Sequence, residues 1–109
     1  MAYDETLAAR VRDALRAEPG LSEKKMFGGL CFLLHGHMAC GIVKDELMLR
    51  VGPARYEETL ALQHARPMDF TGKAMKGMVY VSRAGLGDEP ALRGWVERAR
   101  AFVRTLPPK

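Results

Sequence analysis

Between Lys24 and Val51 the apolar residues occur in short runs, and turn-forming residues separate one run from the next. The runs cover residues 26–27, 30–34, 38–43 and 47–51, and the turn candidates are His35-Gly36 and Lys44-Asp45-Glu46. Short apolar runs bounded in this way are typical of antiparallel strands joined as hairpins. The pattern therefore predicts a three-stranded ribbon from Lys24 to Val51.

Helical patterns flank this ribbon. From Asp4 to about Ala17 apolar residues recur at helical spacing, and Asp4 is the predicted N-cap. The strongest helical stripe follows Asp88 and includes Trp95.

A third, shorter helix is predicted from Gly52-Pro53 to about Gln63, with Pro in the first helical turn. Two further strands are predicted at 67–70 and 78–81. The predicted order is α-β-β-β-α-β-β-α, which indicates an α+β fold with a mainly antiparallel sheet packed by helices. We expect one domain spanning residues 1–109, because domains usually contain about 100–150 residues.

The register of the ribbon can be predicted from its turns. If His35-Gly36 are the central turn residues, Cys31 faces Cys40, and if Asp45-Glu46 turn the next hairpin, Cys40 faces Val51. One face then carries Cys31, Leu33, Met38, Cys40, Ile42, Leu47, Leu49 and Val51, and this is the predicted core face. The opposite face is apolar enough to predict an interaction surface, with candidate residues Phe32, Leu34, Val43 and Met48.

Cysteine and histidine residues between Cys31 and Cys40 suggest a metal site, but the predicted hairpin argues against one. His35 and His37 lie at the tip, about 10 Å from the cysteines at about 3.3 Å per residue. One zinc ion cannot be bound across that distance. We expect free thiols, with a Cys31–Cys40 disulfide as the less favoured alternative. No metal or cofactor is predicted.

The net charge of +4 permits binding to nucleic acid without requiring it. The candidate basic contacts are Lys24, Lys25, Lys73, Lys76, Arg98 and Arg104. No run approaches the roughly 20 apolar residues of a membrane span, and the acidic start Asp4-Glu5 is unlike a signal peptide, so we expect a cytoplasmic protein without membrane contact.

Catalytic motifs give no assembled site. The acidic pairs Asp45-Glu46 and Glu57-Glu58 are adjacent, and adjacent side chains on a strand or helix point apart. The sequence therefore predicts no enzyme, with an unrecognised small-molecule pocket as a minor alternative.

The segment 25–30 reads Lys-Met-Phe-Gly-Gly-Leu, and Phe32, the Gly36 turn, Met38 and the strand 47–51 follow it. With this pattern the chain resembles the N-terminal domain of the TfoX/Sxy family of bacterial competence regulators, over nearly its whole length. The resemblance implies a small α+β domain of the secretion-chaperone-like type. It also implies a regulatory role in the expression of DNA-uptake genes, exerted with a transcription activator, and no catalytic residues.

The resemblance makes a non-enzymatic regulatory and protein-interaction module the leading hypothesis. The expected partner is a protein, such as a transcription activator or a second copy in a homodimer. Direct binding of nucleic acid through the basic residues is the alternative.

Overall fold

A computed structural model describes residues 3–26, 28–67 and 77–107 of the chain. These residues form the helices α1 Glu5–Leu15, α2 Tyr56–Leu60 and α3 Glu89–Val103, and the strands β1 Leu21–Met26, β2 Gly29–Leu34, β3 His37–Val43, β4 Glu46–Arg50, β5 Ala65–Pro67 and β6 Met78–Val81. The architecture is α+β with helices packed on an antiparallel sheet, as the sequence predicts. No helix among the described residues has the length and apolar character that a bilayer crossing needs.

The six strands form a single sheet in the order β1-β2-β3-β4-β6-β5. β1 is absent from the prediction because most of its residues are polar, and it adds a fourth strand to the predicted ribbon. It lies at one edge of the sheet, where exposed lysines such as Lys24 and Lys25 discourage pairing with another chain. The strand predicted at 67–70 is β5, which begins earlier, and residues 68–70 lie outside the described part of the chain.

The hairpin between β2 and β3 turns at His35-Gly36, as predicted. Both residues have positive φ angles, 51° and 86°, which a two-residue hairpin loop of this kind requires. Leu34 therefore pairs with His37.

A β-bulge changes the register of this hairpin after the second residue pair from the tip, which joins Leu33 and Met38. Phe32 pairs with Cys40, and Ala39 is the additional residue on β3. Cys31 consequently pairs with Gly41, so the predicted pairing of Cys31 with Cys40 is wrong. The side chains of β2 also lie on the faces of the sheet opposite to those predicted.

The hairpin between β3 and β4 turns one residue earlier than predicted. Val43 pairs with Glu46, and Lys44 in the loop has a φ angle of 56°. The predicted turn at Asp45-Glu46 is therefore wrong. Because the resulting shift in register is two residues, the side chains of β4 keep the faces that the sequence predicts.

The main core lies between one face of the sheet and the helices. All three helices contribute to it, and the largest of its fully buried side chains is Phe32. The predicted N-caps are confirmed, because the Asp4 carboxylate accepts a hydrogen bond from Leu7 N at 3.0 Å and that of Asp88 accepts one from Ala91 N at 2.8 Å. α2 is shorter than predicted and follows a 3₁₀ turn at Pro53–Arg55.

Candidate functional site

The sheet has two unlike faces. The helix-covered face bears the main core. The opposite face, called the outer face below, bears a second cluster of Cys31, Met48 and Met78. Its partly buried neighbours are Leu33, Met38, Val43 and Tyr80, and all seven residues belong to strands. Among the residues that the structure describes, no helix contributes to this cluster.

One row of residues crosses the outer face from edge to edge. Successive pairings place on it Lys24, Cys31, Gly41, Met48, Tyr80 and Arg66. The row is apolar at its centre and basic at both ends. The Arg66 guanidinium lies 4.6 Å from the centroid of the Tyr80 ring and forms an ion pair with Glu46.

The structure divides the four predicted interaction residues between the two faces. Val43 is partly exposed on the outer face, and Met48 is fully buried there. Phe32 and Leu34 lie in the helix-covered core with exposed fractions of 0% and 3%, so their assignment to an open surface is wrong. The reason is the bulge at Ala39, which pairs Phe32 with a core-facing residue of β3.

The four predicted basic contacts that the structure describes do not form one patch. Lys24 and Lys25 are exposed on β1, and neither forms an ion pair within the described residues. Arg98 Nη1 lies 3.7 Å from Glu58, and Arg104 Nη2 lies 2.6 Å from Glu18. Lys73 and Lys76 lie outside the described residues. Arg98 and Arg104 are therefore engaged with acids of the same chain.

The residues considered for zinc point in different directions. Cys31 lies on the outer face and Cys40 on the helix-covered face, and both thiols are free. A ring nitrogen of His37, Nε2, donates to the Pro107 carbonyl oxygen at 2.6 Å. No group of three or more His, Cys, Asp or Glu side chains within residues 3–26, 28–67 and 77–107 has metal-binding geometry. The two cysteines therefore lie on opposite faces of the sheet, and the prediction that they share one face is wrong.

Burial changes the chemistry of both cysteines. Loss of hydration raises the pKa of the Cys31 thiol to about 11. The pKa of Cys40 rises to about 12, first through burial and then through repulsion between its thiolate and that of Cys31. Both groups are therefore protonated thiols at neutral pH, and neither is an activated nucleophile.

A cleft lies on the helix-covered side near the tip of the β2–β3 hairpin. Its volume is about 430 Å³, within the range of small-molecule sites. Residues from three distant segments line it, among them Glu18, Leu34, His37, Val103, Arg104 and Leu106. Sequence reasoning missed this cleft because no local pattern connects those segments. Leu34 contributes to its wall from the core face.

Comparison with known proteins gives one match. The family model described as the TfoX N-terminal domain matches residues 13–103, a span that contains all six strands and α3. No curated protein and no solved structure gives a match.

Proposed function

Because the chain belongs to the TfoX N-terminal domain family, we propose that it is a non-enzymatic regulatory module that acts by binding another protein. The family match over residues 13–103 is the observation that carries this proposal. The proposed role is control of DNA-uptake genes together with a transcription activator, the role that the family resemblance implies.

The outer face is the proposed contact surface. Leu33, Met38 and Val43 are partly exposed there, whereas the helices cover the opposite side. An interface of this kind combines an apolar centre with a polar rim. Lys24 on β1 supplies a positive charge at the rim, so the proposed partner presents an apolar patch bordered by acidic residues.

Substitution of one outer-face residue tests this surface. Val43→Lys places a charge at the proposed interface, where desolvation of an unpaired charge opposes binding. Ala9→Lys is the matched control, because Ala9 is exposed on α1 at a distance from the outer face. Binding to a purified transcription activator is measured by calorimetry, and self-association by sedimentation.

We expect Val43→Lys to weaken association at least about tenfold, and Ala9→Lys to leave it unchanged. Circular dichroism establishes that both variants are folded. Equal binding by wild type and Val43→Lys would reject the outer face as the contact surface. Unchanged activation of a DNA-uptake promoter when the gene is deleted would reject the regulatory role.

Direct binding of nucleic acid is the second candidate, and it is favoured by the adjacent exposed Lys24 and Lys25. Phosphate contacts release counterions, so such binding weakens steeply with salt, with a log–log slope of about −0.9 per phosphate contact. Fluorescence anisotropy with a labelled duplex at increasing salt measures this slope. If the protein acts by contact with another protein, its binding to the duplex should be weak, and Lys24→Gln should leave that binding nearly unchanged. A steep salt dependence of duplex binding that Lys24→Gln reduces would favour the second candidate.

A further inference from the structure

The cleft near the tip of the β2–β3 hairpin is enclosed by three segments that are bonded to one another in pairs. His37 Nε2 donates to the Pro107 carbonyl oxygen at 2.6 Å, which joins the hairpin to the chain after α3. The backbone N–H of His35 donates to the Gly20 carbonyl oxygen at 3.0 Å, which joins the hairpin to the chain after α1. An ion pair at 2.6 Å between the chain after α1 and the end of α3 completes the ring. The walls of the cleft are therefore held in place before a ligand enters.

The lining of the cleft combines an apolar wall with a few polar groups. Leu34 and Val103 have exposed fractions of 3% and 4%, and Leu106 beside them is half-buried. The polar lining residues His35 and Arg104 are exposed. Sites for small molecules have this composition, and the volume of about 430 Å³ lies in their range. A ligand of the cleft is therefore a small molecule with an apolar body and a polar end.

Glu18 and Arg104 determine which polar end fits. Arg104 Nη2 and Arg100 Nε lie 2.6 and 3.2 Å from the same Glu18 oxygen, Oε1, and the Glu18 side chain is only 12% exposed. Within the described residues, Glu18 Oε2 accepts no hydrogen bond, and the Arg104 guanidinium donates none except that to Glu18. The distance from Arg104 Nη1 to Glu97, 3.8 Å, is too long for one. The pair thus presents a free acceptor and free donors side by side.

A carboxamide group is complementary to this pair. Its carbonyl oxygen accepts from the Arg104 guanidinium, and its N–H donates to the Glu18 carboxylate. A ligand carboxylate would be repelled by Glu18, and a ligand ammonium would be repelled by Arg104. We infer that the cleft binds a small uncharged carboxamide whose hydrocarbon part lies against Leu34, Val103 and Leu106. This site is separate from the proposed protein contact, because the cleft lies on the helix-covered side of the sheet and not on the outer face.

Binding to the full chain is tested with three six-carbon probes that differ in their polar end. At about pH 7 hexanamide is uncharged, hexanoate is an anion and hexylamine is a cation. We expect hexanamide to bind at least about tenfold more tightly than either charged probe. Backbone amide shifts in NMR titrations give the affinities and locate the probe. Hexanamide is expected to shift the signals of Leu34, His37 and Val103 and to leave that of Ala9, exposed on α1, unchanged.

Two substitutions test the two parts of the site. Leu106→Ser removes part of the apolar wall, and we expect it to weaken hexanamide binding about tenfold. Leu62→Ser is the matched control and is expected to leave binding unchanged, because Leu62 is exposed and does not line the cleft. Glu18→Gln removes the charge that repels an anion, so we expect it to reduce the preference for hexanamide over hexanoate.

Each of several results would overturn the inference. Hexanamide fails to bind, a charged probe binds as tightly, or the shifted signals lie away from the cleft. Equal hexanamide affinity in wild type and Leu106→Ser, or an unchanged preference in Glu18→Gln, would also reject it. The comparison of the three probes uses the wild-type chain, so it is decisive even if a variant fails to fold.

Discussion

The guanidinium carbon of Arg12 on α1 lies 6.0 Å from the centroid of the Phe32 ring on β2. The same guanidinium donates hydrogen bonds to the Glu23 carboxylate at 2.5 and 2.8 Å, and Glu23 is the cross-strand partner of Phe32. Arg12 and Glu23 therefore lie beside a buried aromatic ring where the first helix meets the sheet. A polar pair and an apolar side chain jointly fix the position of α1.

Truncation of Phe32 is predicted to destabilise the fold. The side chain is fully buried in the main core, and Phe32→Ala removes its contacts and leaves a cavity. The expected loss is about 3–5 kcal/mol of unfolding free energy, measured by urea denaturation. Val43→Ala, on the partly exposed outer face, is the comparison and is expected to cost less. A loss below about 1 kcal/mol for Phe32→Ala would contradict its central place in the core.

The ion pair between Arg12 and Glu23 is predicted to give a small, pH-dependent stabilisation. The hydrogen bonds from Arg12 hold the pKa of Glu23 below its ordinary value of 4.5. A carboxylate with a lowered pKa stabilises the fold above the unfolded-state pKa, and the stabilisation is lost as pH falls through the folded-state value. Because both groups are partly exposed, the effect at neutral pH is expected to be below about 1 kcal/mol.

Urea denaturation of wild type and Glu23→Gln at about pH 7 and about pH 3 measures this effect. The difference in unfolding free energy between the two proteins should be smaller at the lower pH. If the difference in unfolding free energy has the same size at both pH values, the effect of the substitution comes from packing and not from the ion pair.

Two glycines are predicted to respond in opposite ways to alanine. A Cβ at Gly29 would lie 1.9 Å from the Ile42 carbonyl oxygen, so Gly29→Ala forces backbone atoms apart and is expected to cost at least about 1–3 kcal/mol. Gly94 lies within α3, and apart from its chain neighbours and the helix's own backbone nothing lies within 4 Å of its Cβ position, so Gly94→Ala is expected to stabilise the helix by about 0.8–1 kcal/mol. Thermal unfolding of both variants measures the two changes, and shifts of the same sign would contradict the assigned environments.

The two thiols are predicted to react slowly in the folded protein. Burial raises the pKa of Cys31 to about 11 and that of Cys40 to about 12, so little thiolate exists at neutral pH. Both pKa values in the folded protein exceed the ordinary value of 9.0. The unfolding free energy is therefore unaffected by these thiols below about pH 9, and it decreases as the pH rises from there towards the folded-state pKa values.

Alkylation by iodoacetamide at about pH 8, followed by mass spectrometry, tests the reactivity. Both residues should react rapidly in urea and slowly without it. Equal rates in the two conditions would show that the thiols are accessible in the native protein.

Much of the fold could be predicted because its signals are local. The helical stripe of α3, its cap at Asp88 and the tight turn at His35-Gly36 each depend on residues close together in the chain. The sequence pattern does not predict β1, because an edge strand needs few apolar residues.

The division of residues between the two faces was harder to predict. Alternation along a strand divides its side chains into two sets without showing which set faces the core. One extra residue in a strand is enough to exchange the faces of the two sets. No residue type near Ala39 indicates a bulge, so Phe32 and Leu34 were placed on the wrong side while Val43 and Met48 were placed correctly. The cleft and the ion pairs of Arg98 and Arg104 depend on contacts between distant segments, which no local pattern reports.

The bulge at Ala39 makes this point of the hairpin tolerant of a change in chain length. Deleting that residue would leave a regular ladder in which Leu33 still pairs with Met38 and Phe32 with Cys40, so the neighbouring side chains would keep their faces. A deletion within residues 40–43 would instead move the side chains beyond it to the other face of the sheet. Insertions and deletions should therefore be rarer there than at Ala39.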